Sequence, residues 1–245
     1  MDDIKNLYTE ENCEYGRKTP GWRAEESAWK ATQISTLLGR HAISGVMSKT
    51  NSDRPFRVAE VGCGAGEILN QMRLRYPECV YVGYDIAKDA MNMARTRETD
   101  NLTFVHGDIF ESGDLFDLLL VVDVFEHVPD YYGFLDMCRS KATYKLFHIP
   151  LDVSLINILL NRFDYLYESG GHIHFFTDSS ALLTLKNCGY EILGCQFTMR
   201  TRAFLNEKTK LTTRLAALPR TLMNWISPRW TARMVGGGSL LVLAK

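Results

Sequence analysis

The sequence predicts an α/β protein with a doubly wound, mostly parallel sheet of seven strands. Strand-like runs alternate with segments of helical periodicity along most of the 245 residues. The run FDLLLVVDV at 116–124 is apolar almost throughout, as expected for a central parallel strand that helices cover on both faces. Strands that alternate with helices of this length form βαβ units, and such units build a parallel sheet.

The first predicted element is a helix over 21–39, where apolar residues recur at helical spacing up to Gly39. Turn-forming residues and a proline follow at 49–55 and predict a linker. We therefore divide the chain into an N-terminal helical cap or lid, residues 1–50, and a main domain, residues 51–245.

The main domain contains the predicted sheet. Its strands are expected at 57–61, 80–84, 102–106, 116–124, 143–149, 190–199 and 239–244. Helices are expected directly after Gly66 and over 87–97, 130–139 and 178–187. Insertions follow the fifth and sixth strands, at 151–176 and 200–236. In open sheets of this kind the ligand binds outside the carboxyl ends of the strands, where the strand order reverses.

Charge balance and cysteine spacing argue against several classes of protein. The 28 basic and 29 acidic residues nearly cancel, so phosphate attraction is weak and no nucleic-acid partner is expected. The six cysteines form no CxxC pair, which argues against zinc-ribbon and thioredoxin-type sites. The acidic N-terminus lacks a signal-peptide pattern, and no apolar run approaches the ~20 residues of a membrane span. We therefore expect a cytoplasmic protein.

A glycine-rich turn, EVGCGAG at 60–66, follows the first predicted strand. Its glycines allow a ligand close to the backbone, and the helix behind it offers unpaired N–H groups. Asp85 ends the second strand, where a carboxylate accepts both hydroxyls of a ribose. Asp108 follows the third strand, placed to receive a purine amino group, and Glu60 adds negative charge beneath the turn. Each acid alone could be a helix cap or a loop partner, but acids at successive strand ends favour a ligand site.

These segments resemble the class I S-adenosylmethionine-dependent methyltransferases, a seven-stranded, Rossmann-like family. The resemblance covers about residues 56–200 and the last strand, and rests on EVGCGAGEIL, the acid after VYVGY, HGDIF and FDLLLVVDVFEHVPD. A Glu-His-Val sequence after the fourth strand is especially typical of members that act on small molecules. The resemblance implies S-adenosylmethionine as cofactor and S-adenosylhomocysteine as product.

The resemblance also implies the cofactor contacts. Asp85 would hold the ribose, Asp108 and Ile109 the adenine, and the Gly62–Gly66 turn the methionine end, with Asp123, Val124 and Phe125 beside the sulfonium. The full set of expected cofactor-binding residues is Glu60, Gly62, Cys63, Gly64, Gly66, Asp85, Ile86, Asp108, Ile109, Asp123, Val124 and Trp22.

A nicotinamide-dependent oxidoreductase is the main alternative for the same fold. Its fingerprint is GxGxxG, and counting from Gly62 the third glycine position is occupied by Glu67. A glutamate beside a pyrophosphate would be repelled. S-adenosylmethionine has no phosphate and carries a positive sulfonium, so acids around the turn suit it.

The acceptor site is expected around the first insertion, where related enzymes recognise their acceptors. An apolar stripe at helical spacing runs from Leu155 to Phe163. We expect Tyr165, Tyr167, His174 and Phe125 to bind the acceptor. Trp22 is expected to lie over the cofactor, either in a lid that excludes water or as a packing residue.

A hydroxyl acceptor must lose a proton, and histidine is the best side chain for that near neutral pH. We expect His172 to be the general base, with His127 as the second choice. If residues 171–176 are extended, His172 and His174 face the same side. No third ligand at clear spacing accompanies this pair, so no metal is expected. His148, beside Pro150, is a poorer candidate.

The expected activity is methyl transfer to an oxygen or nitrogen of a small-molecule metabolite. Alternatives are a lipid-linked or macromolecular acceptor, or a non-catalytic cofactor-binding module of the same fold. No NPPY-type signature follows the fourth strand, which argues against exocyclic amines of nucleic-acid bases. The basic insertion at 200–236 fits a solvated helix over the sheet edge, or a helix that contacts an anionic membrane surface.

Overall fold

Seven strands form one sheet in the computed structural model, which describes residues 24–48, 54–199 and 220–245. The strands are β1 (Arg57–Val61), β2 (Val80–Asp85), β3 (Leu102–His106), β4 (Phe116–Val122), β5 (Ala142–Pro150), β6 (Ile192–Met199) and β7 (Gly238–Ala244). Their order is β3-β2-β1-β4-β5-β7-β6. Strands β1 to β5 are parallel, and β7 is antiparallel to both β5 and β6. The predicted fold class is confirmed.

Helices cover both faces of the sheet. They are α1 (Ala24–Arg40), α2 (Ile43–Met47), α3 (Glu67–Arg75), α4 (Lys88–Ala94), α5 (Tyr131–Lys141), α6 (Leu155–Leu159), α7 (Phe163–Gly170), α8 (Asp178–Asn187) and α9 (Pro228–Met234). Short 3-10 turns occur at Arg95–Arg97, Ile109–Glu111 and Phe125–His127, and residues 220–226 are also helical. Within the described ranges, no helix combines the length and apolar character that crossing a bilayer requires.

Strand β4 explains how one apolar run serves two cores. Leu118 and Leu120 face the core that includes α1 and α3, whereas Leu119 and Val121 face the core that includes α5 and α8. All four side chains are fully buried. Successive side chains of a strand point to opposite faces, so a strand covered on both sides must be apolar at every position.

Helix α1 is a layer of this domain. Its apolar residues, among them Ile34, Leu37 and Leu38, belong to the same core as β1, β4 and α3. Residues 24–48 of the predicted cap therefore pack into the core of the main domain, and the division of the chain at residue 50 stays a prediction. The predicted boundary around 49–53 and the N-terminal residues up to 23, Trp22 included, lie outside the described part of the chain.

The first insertion differs from its prediction. The apolar stripe from Leu155 to Phe163 is broken at Asn161, which adopts a left-handed φ of 45°, so two short helices form. Much of the stripe faces outward, and Leu159 is 72% exposed. Spacing alone could not show this, because helical periodicity defines a face without identifying what covers it.

Two arginines of the second insertion form ion pairs within the described part of the domain. Arg229 and Arg233 of α9 pair with Asp178 at the start of α8, each with a contact of 2.7 Å. Burial alone would raise the pKa of Asp178, but the two guanidinium groups hold it below its usual range. Residues 200–219, with most of the predicted basic surface, are outside the described ranges.

We expect Gly66→Ala to destabilise the domain by about 2 kcal/mol, because overpacking and a positive φ both penalise a side chain there. Gly66 precedes α3 with a φ of 76°, and an added Cβ would fall within the contact distance of the Phe104 ring. Urea unfolding measures the change. Gly113→Ala is the matched control, since a Cβ there meets nothing within 4 Å among the described residues. Equal stability of the two variants would contradict this account of the turn.

Candidate functional site

A cavity of about 380 Å³ opens at the carboxyl ends of β1 to β4, where the strand order reverses. We call it the first cavity. The predicted residues that line it are Glu60, Gly62, Cys63, Gly64, Asp85, Ile86, Asp108, Ile109, Asp123, Val124 and the histidines His127 and His172. Gly66 does not line the cavity, because it lies behind the turn, close to Phe104.

The glycine turn is held open by backbone geometry and by one carboxylate. Gly62 and Gly64 have φ values of 66° and 54°, in the left-handed region that favours glycine. The carboxylate of Asp85 accepts the N–H of Gly64 and the N–H of Ala87, each at 2.8 Å. Asp85 therefore ties the turn after β1 to the turn after β2. Burial raises the pKa of Asp85, and the backbone donors oppose that rise.

Glu60 presents a buried carboxylate beneath the turn. Its side chain is 1% exposed, and Oε2 has no hydrogen-bond partner among the described residues. Burial raises the pKa of Glu60 well above its usual range, Lys30 opposes the rise, and the charges of Asp85 and Asp123 add to it. An unsatisfied buried carboxylate is costly, and a cationic ligand group in the cavity would offset the cost.

Asp108 lies at the far end of the same cavity. One carboxylate oxygen accepts the N–H of Phe110 at 2.9 Å and caps the short turn Ile109–Glu111. The cap anticipated as an alternative is therefore present, and it leaves the second oxygen of Asp108 for a ligand. Ile86 and Ile109 supply the apolar surface beside it.

Asp123 is the centre of a charged network that the sequence did not reveal. Its carboxylate accepts from Lys30 Nζ at 2.7 Å and from His148 Nδ1 at 2.5 Å. The Nε2 of His148 lies 2.9 Å from the Thr198 hydroxyl. Burial would raise the pKa of Asp123, but His148 and Lys30 together hold it well below its usual range. The residue stays ionised at the edge of the cavity.

Lys30 could have been recognised from its spacing. It falls on the face of α1 that also carries Ser27, Ala31 and Ile34, all of them buried. A lysine on a buried helical face requires an acidic partner. The spacing does not identify this partner, because Asp123 lies 93 residues further along the chain.

A second cavity of about 480 Å³ adjoins the first. We call it the second cavity. Lys30, Asp123 and His172 line both cavities and therefore mark their junction. Tyr165 lines the second cavity, as expected for an acceptor-binding residue. Other charged or titratable residues in its wall are Glu26, His148, Asp152, Arg162 and Arg220.

The histidine pair at the junction is not the predicted one. His172 lies beside His127, with ring centroids 5.0 Å apart. His174 instead points to the carbonyl of Val128 at 3.0 Å and packs on Tyr131. The two rings thus have different neighbours, which differs from the expected pairing of His172 with His174, and residues 171–177 form no regular strand.

Three predicted acceptor contacts also need correction. Phe125 is fully buried in an aromatic cluster with Phe147 and Phe176, and it lines neither cavity. Tyr167 is exposed and, like His174, is absent from both cavity walls. The turn after β4 rotates Phe125 inward, which sequence position alone could not show.

A family model for the methyltransferase domain matches residues 32–194, well over half of the chain. The chain belongs to this family. It is a class I, S-adenosylmethionine-dependent methyltransferase domain, and S-adenosylmethionine is the cofactor of the family. The resemblance inferred from the glycine turn and the strand-end acids is confirmed at this level.

Curated relatives match parts of the methyltransferase domain. Trans-aconitate 2-methyltransferase of Deinococcus radiodurans is 34% identical over 80 residues, which cover 32% of this chain and 31% of that protein. The tRNA (guanine-N(7)-)-methyltransferase of Halalkalibacterium halodurans is 28% identical over 127 residues, which cover 50% of this chain and 52% of that protein. The chain thus spans about half, or less, of the length of these relatives.

Solved structures share the fold over nearly the whole chain. Magnesium protoporphyrin IX methyltransferase from Synechocystis, with bound SAH, gives a TM-score of 0.62 at 12% identity, covering 99% of this chain and 97% of that one. A putative sarcosine dimethylglycine methyltransferase from Galdieria sulphuraria gives 0.57 at 16% identity, covering 86% of this chain and 82% of that one. At these identities the likeness concerns the fold alone.

The first cavity of the methyltransferase domain fits its cofactor chemically. The buried carboxyl group of Glu60, whose Oε2 has no hydrogen bond to any described residue, suits a ligand that carries positive charge. The left-handed glycines leave the backbone of the turn open to a ligand. Glu67, which stands where the dinucleotide fingerprint has its third glycine, lies in the same wall and pairs with Arg97 at 2.7 Å.

We expect Glu60→Gln to stabilise the methyltransferase domain in the absence of ligand and to weaken cofactor binding. The pKa of Glu60 is raised above its ordinary 4.5, so ionisation costs more in the folded than in the unfolded state. The Glu60→Gln variant should therefore become more stable than the wild type as the pH rises above 4.5. Each kcal/mol corresponds to about 2–4 °C in Tm for a chain of this size.

Calorimetry at pH 5 and pH 8 measures this effect, with titration of S-adenosylmethionine on the same samples. Glu78→Gln is the control, since Glu78 is exposed at the opposite end of the sheet, before β2. A lower Tm for Glu60→Gln at pH 8 would show that the carboxylate is already compensated in the free protein.

Proposed function

We propose that the protein transfers a methyl group from S-adenosylmethionine to an oxygen or nitrogen of a small polar molecule that binds in the second cavity. The observation that carries this proposal is the junction of the two cavities at Lys30, Asp123 and His172. A donor in the first cavity and an acceptor in the second would meet there.

The second cavity supports a small polar acceptor. Its volume of about 480 Å³ lies within the range of small-molecule sites. Lys30, Arg162 and Arg220 contribute positive charge to its wall, and Glu26, Asp123 and Asp152 contribute negative charge. A wall that presents both signs of charge suits a polar metabolite that carries hydroxyl or charged groups.

Alignment and exclusion of water account for much of such a reaction. Bound S-adenosylmethionine would supply an electrophilic methyl group on a positively charged sulfur. The chain contributes two adjoining cavities, a charged network of Lys30, Asp123 and His148 at their junction, and a glycine turn held by Asp85. When both reactants are already bound and aligned, the entropy cost of bringing them together has been met on binding. This lowers the free-energy barrier of methyl transfer.

His172 is the proposed residue for activating a hydroxyl acceptor. Its Nδ1 lies 2.6 Å from Asp152 Oδ2, and since a carboxylate accepts, Nδ1 carries the proton. In the neutral ring the lone pair is then on Nε2. Asp152 thereby sets the tautomer, and a group in the junction could deliver its proton to Nε2.

A lipid-linked acceptor is the second candidate, and the exposed apolar surface of the insertions favours it. Helix α6 packs against α9, and large apolar side chains on and near these helices face outward. They are Leu155, Ile158, Leu159, Leu160, Leu222, Trp225, Ile226 and Trp230. Flotation with anionic liposomes tests this candidate. Salt-sensitive binding supports it, and no binding at low salt leaves the free metabolite as the better acceptor.

The reaction itself is tested by incubating the purified protein with isotope-labelled S-adenosylmethionine and a fractionated metabolite extract. We expect one class of small molecule to gain the labelled methyl group while S-adenosylhomocysteine accumulates. Transfer only to RNA or protein fractions would overturn the small-molecule proposal. Cofactor binding without transfer to any fraction would point to a non-catalytic module.

Replacing Asp85 by Ala should weaken cofactor binding at least tenfold. The change removes the acceptor of the Gly64 and Ala87 N–H groups and the proposed partner of the ribose hydroxyls. Each unpaired buried polar group costs ~1–3 kcal/mol, and 1.4 kcal/mol corresponds to about tenfold in affinity. Isothermal titration measures the affinity. Asp136→Ala, an exposed acid on α5, should bind normally; normal binding by Asp85→Ala would refute the assigned role.

Replacing His172 by Ala should lower kcat by ~100-fold or more when the acceptor is a hydroxyl, with the cofactor Kd unchanged. The control is His41→Ala, since His41 is exposed after α1 and lies in neither cavity wall. Steady-state kinetics and cofactor titration separate the two effects. Near-full kcat in the variant would remove His172 from the mechanism and indicate an amine acceptor.

A further inference from the structure

Two imidazoles and a buried carboxylate meet at the junction of the cavities. Glu126, His127 and His172 each offer one ligand atom, and these atoms all lie within 4.8 Å of one another. Sequence spacing could not reveal the set, because His172 reaches it from a separate loop 45 residues after His127.

The carboxylate of Glu126 is buried without a hydrogen bond to any described residue. The residue is 0% exposed, and neither Oε1 nor Oε2 has a hydrogen-bond partner among the described residues. Oε1 lies 3.8 Å from His127 Nε2. Buried carboxylates are normally paired, hydrogen-bonded or bound to a metal, so this one suits a cation.

Each of the two rings uses its Nδ1 atom in a hydrogen bond. His127 Nδ1 lies 2.9 Å from the carbonyl of Gly171, and His172 Nδ1 lies 2.6 Å from Asp152 Oδ2. Both partners can only accept, so both Nδ1 atoms carry protons and the lone pairs of the neutral rings are on Nε2. Histidines that bind metals commonly donate their second N–H to a carboxylate or a backbone carbonyl.

We propose that Glu126 and the Nε2 atoms of His127 and His172 bind a divalent transition-metal ion, with Zn²⁺ as the representative. Two imidazoles and one carboxylate form a ligand set of catalytic zinc sites, whereas Mg²⁺ and Ca²⁺ prefer oxygen ligands alone. Ligand atoms about 2.1 Å from zinc lie roughly 3.4 Å apart. Binding would therefore draw the three side chains slightly closer together.

The proposed ion would have an open position facing the junction. Three protein ligands leave at least one coordination position of zinc for another group. His127 and His172 both line the first cavity, and His172 also lines the second. An acceptor hydroxyl at that position would pass its proton to solvent water in the cavity more easily, and His172 would then act by holding the ion. This role in the reaction rests on the proposed function; binding of the ion does not.

Zinc titration of chelator-treated, full-length protein tests the site. We expect one Zn²⁺ per chain to bind saturably at these ligands, and Co²⁺ to give the visible absorption bands of a nitrogen- and oxygen-coordinated ion. Glu126→Gln, His127→Gln and His172→Gln should each weaken zinc binding at least 100-fold. Asp152→Asn, which loses only the partner of His172, should weaken it about 10- to 100-fold. His41→Gln should bind zinc as the wild type does.

Glu126→Gln also separates ligand loss from misfolding. It keeps the shape of the side chain and removes a buried carboxylate that has no hydrogen bond to any described residue, so the metal-free variant should not melt below the metal-free wild type. Zinc should raise the Tm of the wild type and not that of this variant. Equal zinc affinity in wild type and variants, or no saturable zinc binding by the wild type, would overturn the proposal.

The experiments distinguish a failure of the proposed function from a failure of the proposed metal site. Zinc binding at these ligands without transfer to any acceptor would refute the proposed function and leave the metal site in place. Transfer at full rate by chelator-treated protein that binds no zinc would refute the metal site and leave His172 as a base.

Discussion

Four carboxyl groups buried at one edge of the sheet are the constraint on which the site depends. Glu60, Asp85, Asp123 and Glu126 all lie at the carboxyl ends of β1, β2 and β4. Burial raises the pKa of Glu60, Asp85 and Glu126. Burial would also raise the pKa of Asp123, but His148 and Lys30 lower it by more, so Asp123 stays ionised. The surrounding fold, with two apolar cores, provides the stability that tolerates these acids. Cationic ligands are the natural complement of such an edge.

Local patterns in the sequence predicted most of the fold. Strands β1 and β3 and helix α8 begin and end where expected, at 57–61, 102–106 and 178–187. Helical and strand periodicity, turn residues and helix caps each depend on only a few neighbouring residues, so the sequence shows them directly. The break at Asn161 was missed, because a left-handed residue other than glycine leaves no clear local signal.

The lining of the first cavity was more predictable than that of the second, for a physical reason. Most residues of the first cavity follow directly from strand ends, and parallel strands bring their ends together. The second cavity and the junction depend on contacts between distant segments. Lys30 meets Asp123 across 93 residues, and His127 meets His172 because the loop that carries His172 is irregular. Phe125 was misassigned because the turn after β4 directs it into the core.

The backbone of Glu126 joins the two halves of the site. Its carbonyl accepts the N–H groups of both Ile173 and His174, at 3.0 and 3.1 Å. The loop that ends the first insertion is therefore hydrogen-bonded to the turn after β4, and these two segments carry His172 and His127 at the cavity walls. Helices α6 and α7 lie outside this connection. On the proposed function, exchange of those helices between related chains would alter which acceptor enters and would leave the connection in place, so substrate choice would diverge without rebuilding the junction of the cavities.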